Sequence, residues 1–187
     1  MRVVSNSKRF LMKVIVFVLV LGCSIGVLPN IISVHNNVVI TADAATVGQK
    51  NALDSAKSYL EYMSFSKKGL IDQLKFDGYT TKEANYAVKH CGANWTKQAL
   101  KSAKNYLDTM AFSKKGLTDQ LKFDGYTTKE ANYGVKNCGA NWKKQAVKSA
   151  KNYMSIMSFS KKELQNQLEF DGFTKSEAAY GVKNAYK

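Results

Sequence analysis

The apolar residues of this chain follow two different rules along its length. Between residues 14 and 28 they form a nearly uninterrupted, uncharged run; from about residue 51 onward they recur at helical spacing among polar and charged positions. The second region repeats one phrase three times. Ser55-Ala56-Lys57-Ser58-Tyr59-Leu60 returns as Ser102-Ala103-Lys104-Asn105-Tyr106-Leu107 and again as Ser149-Ala150-Lys151-Asn152-Tyr153-Met154, with a period of 47 residues. Residues 53–99 and 100–146 are identical at 38 of 47 positions, so the pattern is a duplication and not a chance of composition. The third copy matches through Val182.

Each copy predicts three helices. In the second, Asn94 is placed to cap a helix from Trp95 to about Met110, in which Trp95, Ala99, Ala103, Tyr106 and Met110 share one face and read as core. Ser113, after Phe112, caps a short helix whose Leu117 and Leu121 fall four apart. Asp124-Gly125 stops it, because glycine adopts the left-handed conformation without a Cβ penalty. Thr127 and Glu130 then open the next helix as a capping box, as do Thr80 with Glu83 and Thr174 with Glu177. That third helix buries Ala131 and Val135, carries Cys138 next on the same seam, and closes at Gly139.

About three residues remain before the helix starting near Trp142, too few for a flexible tether. The expected architecture is all-α: a tandem array of three small three-helix modules, each with a helix-turn-helix-like hairpin, held in restricted relative orientation. Their spans are 51–92, 93–139 and 140–187, behind a leader at 1–44. The terminal copies are atypical, as is common where no neighbour follows. Val47-Gly48 stand where Asn94-Trp95 stand later, and Ala185-Tyr186-Lys187 replace Cys-Gly.

Arg2, Lys8, Arg9 and Lys13 precede the uninterrupted apolar run, which ends at Pro29; this is the pattern of an export leader. Three endings stay open. Ala42-Asp43-Ala44 before Ala45 fits a signal peptidase, with cleavage between Ala44 and Ala45. Val20-Leu21-Gly22-Cys23 resembles a lipobox, which would make Cys23 the lipidated residue. An uncleaved anchor over about residues 14–34 is the third, associating the chain with the membrane through its N-terminus.

Charge then narrows the partner classes. Residues 45–187 hold 24 lysines against 13 acids, +11, and no arginine. Such a chain is drawn to polyanions: wall polymers, anionic lipid or nucleic acid. Lysine suits diffuse attraction, whereas bidentate reading of guanine is most often done by arginine, so sequence-specific DNA recognition is disfavoured.

Little in the array suggests covalent chemistry, and we expect neither an enzyme nor a cofactor. Cys91 and Cys138 occupy equivalent positions and read as small buried hydrophobes; a disulfide would have to bridge about a module width. His90 has Asn137 and Asn184 as counterparts and no ligand-like partners. Phe76-Asp77-Gly78 offers one acid before a glycine, too little to encircle calcium, and reads as a helix stop. The hairpin points Lys82, Asn85 and Lys89, or Lys129, Asn132 and Lys136, outward like a recognition helix, yet the third copy has Ser176 and Ala179 instead. A solvated face is the simpler account. Lys67-Lys68, Lys114-Lys115 and Lys161-Lys162 occupy the first turn of the middle helix, where positive charge opposes the dipole. With Lys82 and Lys129 they are the candidate residues for a polyanion or an acidic partner.

Ala-Leu-Lys-Ser-Ala-Lys-Asn-Tyr-Leu, Phe-Ser-Lys-Lys-Gly-Leu, Phe-Asp-Gly-Tyr-Thr, Glu-Ala and Tyr-x-Val, followed by Asn-Trp and Gln-Ala, closely resemble the Ltp-like family of host cell surface-exposed lipoproteins, over about residues 51–187. The resemblance implies helix-turn-helix-like modules displayed outside the cytoplasmic membrane. It also implies a role in superinfection exclusion, in which prophage-carried members hinder the passage of an incoming phage's DNA, with phage tail proteins as partners. It carries over no catalytic residue.

Overall fold

The structure, a computed structural model, describes residues 45–186. The readings placed on residues 1–44, including lipidation at Cys23 and cleavage after Ala44, lie outside the described residues. Within them the chain is all-α. Module 1 comprises α1 (Val47–Tyr62), α2 (Lys67–Phe76) and α3 (Thr81–His90). Module 2 comprises α4 (Trp95–Thr109), α5 (Lys114–Phe123) and α6 (Thr128–Asn137), and module 3 comprises α7 (Trp142–Ile156), α8 (Lys161–Phe170) and α9 (Lys175–Ala185). None of these helices is long and apolar enough to cross a membrane.

The helix starts lie where the capping residues put them. Thr80, Thr127 and Thr174 each accept from the backbone amide three residues on, while Glu83, Glu130 and Glu177 return to the cap's own amide. Ser66 and Ser113 cap α2 and α5, and Asn94 and Asn141 cap α4 and α7. A lost cap of this kind costs about 1 kcal/mol, so every boundary is locally enforced.

Small residues decide how the helices meet. The first and third helices of a module pack most extensively, along a seam of Ala52 and Ala56 against Ala84 and Ala87 in module 1. In module 2 the position of Ala87 is Gly134, where an added β-carbon would lie 2.7 Å from the Ala99 carbonyl oxygen; the helices there touch backbone to backbone. The middle helix closes the remaining side with two fully buried leucines: Leu70 and Leu74, Leu117 and Leu121, or Leu164 and Leu168. Even with Tyr126 or Phe173 added in modules 2 and 3, this is a small core. A domain of this size buries a low fraction of its surface and is marginal by itself.

A polar brace supplements each core. Tyr59, Tyr106 and Tyr153 donate to Asp77, Asp124 and Asp171 at 2.9, 2.8 and 2.7 Å, and Gln73, Gln120 and Gln167 donate to the other carboxylate oxygen. The aspartate of the Phe-Asp-Gly turn therefore also ties the first helix to the end of the second.

Neighbouring modules complete one another, and this corrects the stripe expected for the first helix. Ala99, Ala103 and Tyr106 do pack within module 2, but Trp95 packs against the core of module 1 beside Cys91, and Trp142 against that of module 2 beside Cys138. Met110 is the C-cap of α4, with extended backbone. Gly48, at the position of Trp95, follows from the same arrangement: no module within the described residues precedes it. Among the described residues the three cores are built from residues between Ala52 and Ala185.

Trp95→Ala should therefore weaken module 1 more than module 2. We expect a loss of about 2–3 kcal/mol, below the usual cost of a fully buried Trp→Ala because the indole is half-buried. Amide exchange should accelerate in α1 to α3 before α4 to α6; equal acceleration in both would show that the tryptophan serves its own module.

Candidate binding surface and the joints between modules

Ser66 begins the candidate surface and makes the joint. It accepts from the Gly69 amide at 2.9 Å, capping α2, and donates its own proton to the Asp124 carbonyl of module 2 at 2.5 Å. Ser113 does the same with Gly116 and Asp171, at 2.9 and 2.6 Å. Both serines are buried. Two glycines make room for this contact. A β-carbon on Gly125, whose φ is +90°, would lie 2.9 Å from both Lys68 Cβ and Ser66 Oγ, and one on Gly69 would stand 3.1 Å from Ser66 Oγ.

Module 3 carries different chemistry at the equivalent position. Glu163 replaces the glycine at Gly69 and Gly116, and Ser160 gives its proton to the Glu163 carboxylate at 2.8 Å. Hydrogen bonds to Ser160 hold the Glu163 carboxyl below its ordinary pKa. Tyr186 donates to the Phe159 carbonyl and lies under Lys161, whose Nζ is 5.6 Å from the ring centre.

The lysine pairs acquire a partly structural explanation from this geometry. Lys67, Lys114 and Lys161 are the first residues of the middle helices and are exposed. Lys68 and Lys115 stand against the glycine of the next module and place their ammonium groups 2.6 Å from Asp72 and Asp119. These exposed i,i+4 pairs contribute only about 0.3–0.5 kcal/mol, so they orient the side chains more than they stabilise the fold. Lys162 has no equivalent acid, since Asn166 replaces it. Lys82 and Lys129 are exposed in the first turn of α3 and α6, where Asn85, Lys89, Asn132 and Lys136 are exposed as well.

The remaining candidates settle into packing roles. Cys91 and Cys138 are free and half-buried, each thiol donating to the carbonyl three residues earlier, Val88 or Val135. His90 stacks on Tyr86 at 4.1 Å, with Nδ1 2.7 Å from the Tyr86 carbonyl oxygen. No group of three metal-ligating side chains occurs among the described residues. Sequence reasoning missed two features: the joint, and the exposure of Phe76, Phe123 and Phe170 at the ends of the middle helices. The joint had a signal, since glycine three residues after a capping serine is a poor choice for a helix.

The family described as host cell surface-exposed lipoprotein matches residues 48–91, 94–138 and 141–184, one match for each three-helix module. The chain belongs to this family. No curated protein matches the chain. Among solved structures, it is similar to Ltp, a superinfection exclusion protein from the Streptococcus thermophilus temperate phage TP-J34, at 38% identity over 50% of this chain and 98% of that one, with a TM-score of 0.48.

Two outcomes test the geometry. Gly125→Ala should destabilise more than Gly78→Ala: both residues have positive φ, where a side chain costs about 1–3 kcal/mol, but only Gly125 meets the neighbouring module, nothing lying within 4 Å of a β-carbon on Gly78. Equal losses in thermal melts would mean the joint tolerates the methyl group. Alkaline titration tests the braces of Tyr106 and Tyr153 together with the buried Tyr126, whose hydroxyl pairs with Ser102. Burial, first of all, raises the pKa of Tyr106, Tyr126 and Tyr153 above 10.0. A folded pKa above the unfolded value makes this stabilisation complete below pH 10.0 and progressively lost above it. These three phenols should ionise late, as the array unfolds, whereas early ionisation of all ten tyrosines with the helices intact would contradict the buried braces.

Proposed function

We propose that the array is a binding module at the cell surface, held outside the cytoplasmic membrane, and that its most concrete role is exclusion of a superinfecting phage. The observation that carries this reading is the repetition of one exposed feature: Lys67, Lys114 and Lys161 stand at the same place in three modules joined through equivalent serine contacts. A partner touching several modules at once gains effective concentration without any new type of contact. The family's description as surface-exposed lipoproteins supports the location, and either anchored reading of the leader would keep the array beside the membrane.

The partner class we favour is an acidic protein of the phage tail. Lysines without arginine provide a long-range attraction that raises association rates and weakens with salt. The array would then hinder the passage of phage DNA after adsorption, by binding and without a covalent step.

Expression of the intact chain in a phage-sensitive host provides the test. Plating efficiency should drop while adsorption stays normal and phage DNA fails to reach the cytoplasm. The triple variant K67E/K114E/K161E should restore plating at equal protein level. Normal infection by a broad phage panel would sink the exclusion role.

A further inference from the structure

Each joint pairs the start of one middle helix with the turn of the following module, and one copy of each half stays outside the joints among the described residues. In module 1 the turn of Asp77 and Gly78 faces no other module: nothing lies within 4 Å of a β-carbon on Gly78, and Asp77 is exposed where Asp124 and Asp171 are half-buried. In module 3 Ser160 is exposed, whereas Ser66 and Ser113 are buried.

The turn of module 1 already has the conformation that docking uses. Gly78 has a φ of +96°, against +90° and +92° at the docked Gly125 and Gly172. Ser55 and Tyr79 share a hydroxyl contact of 2.9 Å, as Ser102 and Tyr126 do at 2.8 Å in the first joint. There Ser102 also donates to Ser64 of module 1. Module 3 has Ser158 at the position of Ser64, where module 2 has Ala111, and Lys162 at the position of Lys68. The two unused halves therefore carry the polar groups of the first joint: Ser158 and Ser160 on one side, Ser55, Tyr79 and the Asp77 carbonyl on the other. Module 2 lies between them with both of its own halves engaged, so the contact falls to a second copy.

Two side chains stand in its way. Glu163, at the position of Gly69 and Gly116, takes the Ser160 proton, the proton that Ser66 and Ser113 give to the carbonyl of the following module. A β-carbon on Gly116 would lie 3.5 Å from the Asp171 carbonyl oxygen, so a carboxylate at this position crowds the incoming carbonyl with a second acceptor and no proton. Tyr186 donates to the carbonyl of Phe159, whose counterpart Phe112 gives its amide proton to Gln145 across the second joint.

We propose that these two faces are the halves of a head-to-tail contact between copies of this chain, held closed by Glu163 and Tyr186. A contact of this kind does not close on itself. Each docked copy presents the same turn again, and an open filament results. The two side chains keep the arrays separate, whatever the arrays bind.

The intact chain, expressed in a bacterial host and treated on the cells with a lysine-reactive crosslinker, tests the proposal in one direction. The double variant E163G/Y186A should give a ladder of multimers, about tenfold more product than the parent at equal protein level. Adding S160A, which removes the donor, should abolish the gain. G116E tests the other direction by placing the same closure in an internal joint. With Ser113 taken by the new carboxylate, a protease should cut between α6 and α7 about tenfold faster than in G116A. A double variant no more crosslinked than the parent, a ladder that survives S160A, or a G116E chain cut no faster than G116A would each overturn the proposal.

Discussion

Each joint between modules includes a serine hydroxyl shared by two elements, with further hydrogen bonds beside it: Ser102 to Ser64 at the first joint, and the Phe112 amide to Gln145 at the second. Ser66 accepts from its own helix and donates to the next module, so the cap of α2 and the contact between modules 1 and 2 share an oxygen atom. That sharing works only where Gly69 supplies no competing side chain and Gly125 supplies no β-carbon. Burial follows from it. Tyr126 and Phe173, just beyond the docked turns, are 4% exposed, whereas Tyr79, in the copy of the turn with no preceding module in the described residues, is only half-buried. The small cores of modules 1 and 2 are each extended by an indole from the following helix, Trp95 and Trp142.

Local structure was largely legible in the sequence because it is encoded locally. Caps, capping boxes and glycine stops act over three or four residues, and the 47-residue period displayed them three times. The stripe of the first helix was legible only in its centre: spacing puts Trp95 on a face, and cannot say that the neighbour across that face is another module. The shared hydroxyl was hidden for the same reason, since Ser66 and Asp124 are 58 residues apart. The lysine pairs were visible as charge, while the packing of Lys68 against Gly125 needed the fold.

The surface combines these scales. Charge is spread over all three modules, but the structure sorts it: Lys68 and Lys115 are tied to acids and joints, and Lys67, Lys114 and Lys161 stay exposed. Module 3 departs from the pattern at the joint and in its charge, with Glu163 and Glu169 in place of glycine and lysine. The array is therefore polar along its length, with more positive middle helices in the modules nearer the N-terminus.

Glu163 also bears on how such a chain changes in length. Modules 1 and 2 each carry the donor half of a joint, and modules 2 and 3 the acceptor half, so unequal recombination in the 47-residue register would add or remove a whole middle copy with both halves intact. The protein would grow by complete units. The length of the array would then be adjustable in whole-module steps, without a new interface having to arise.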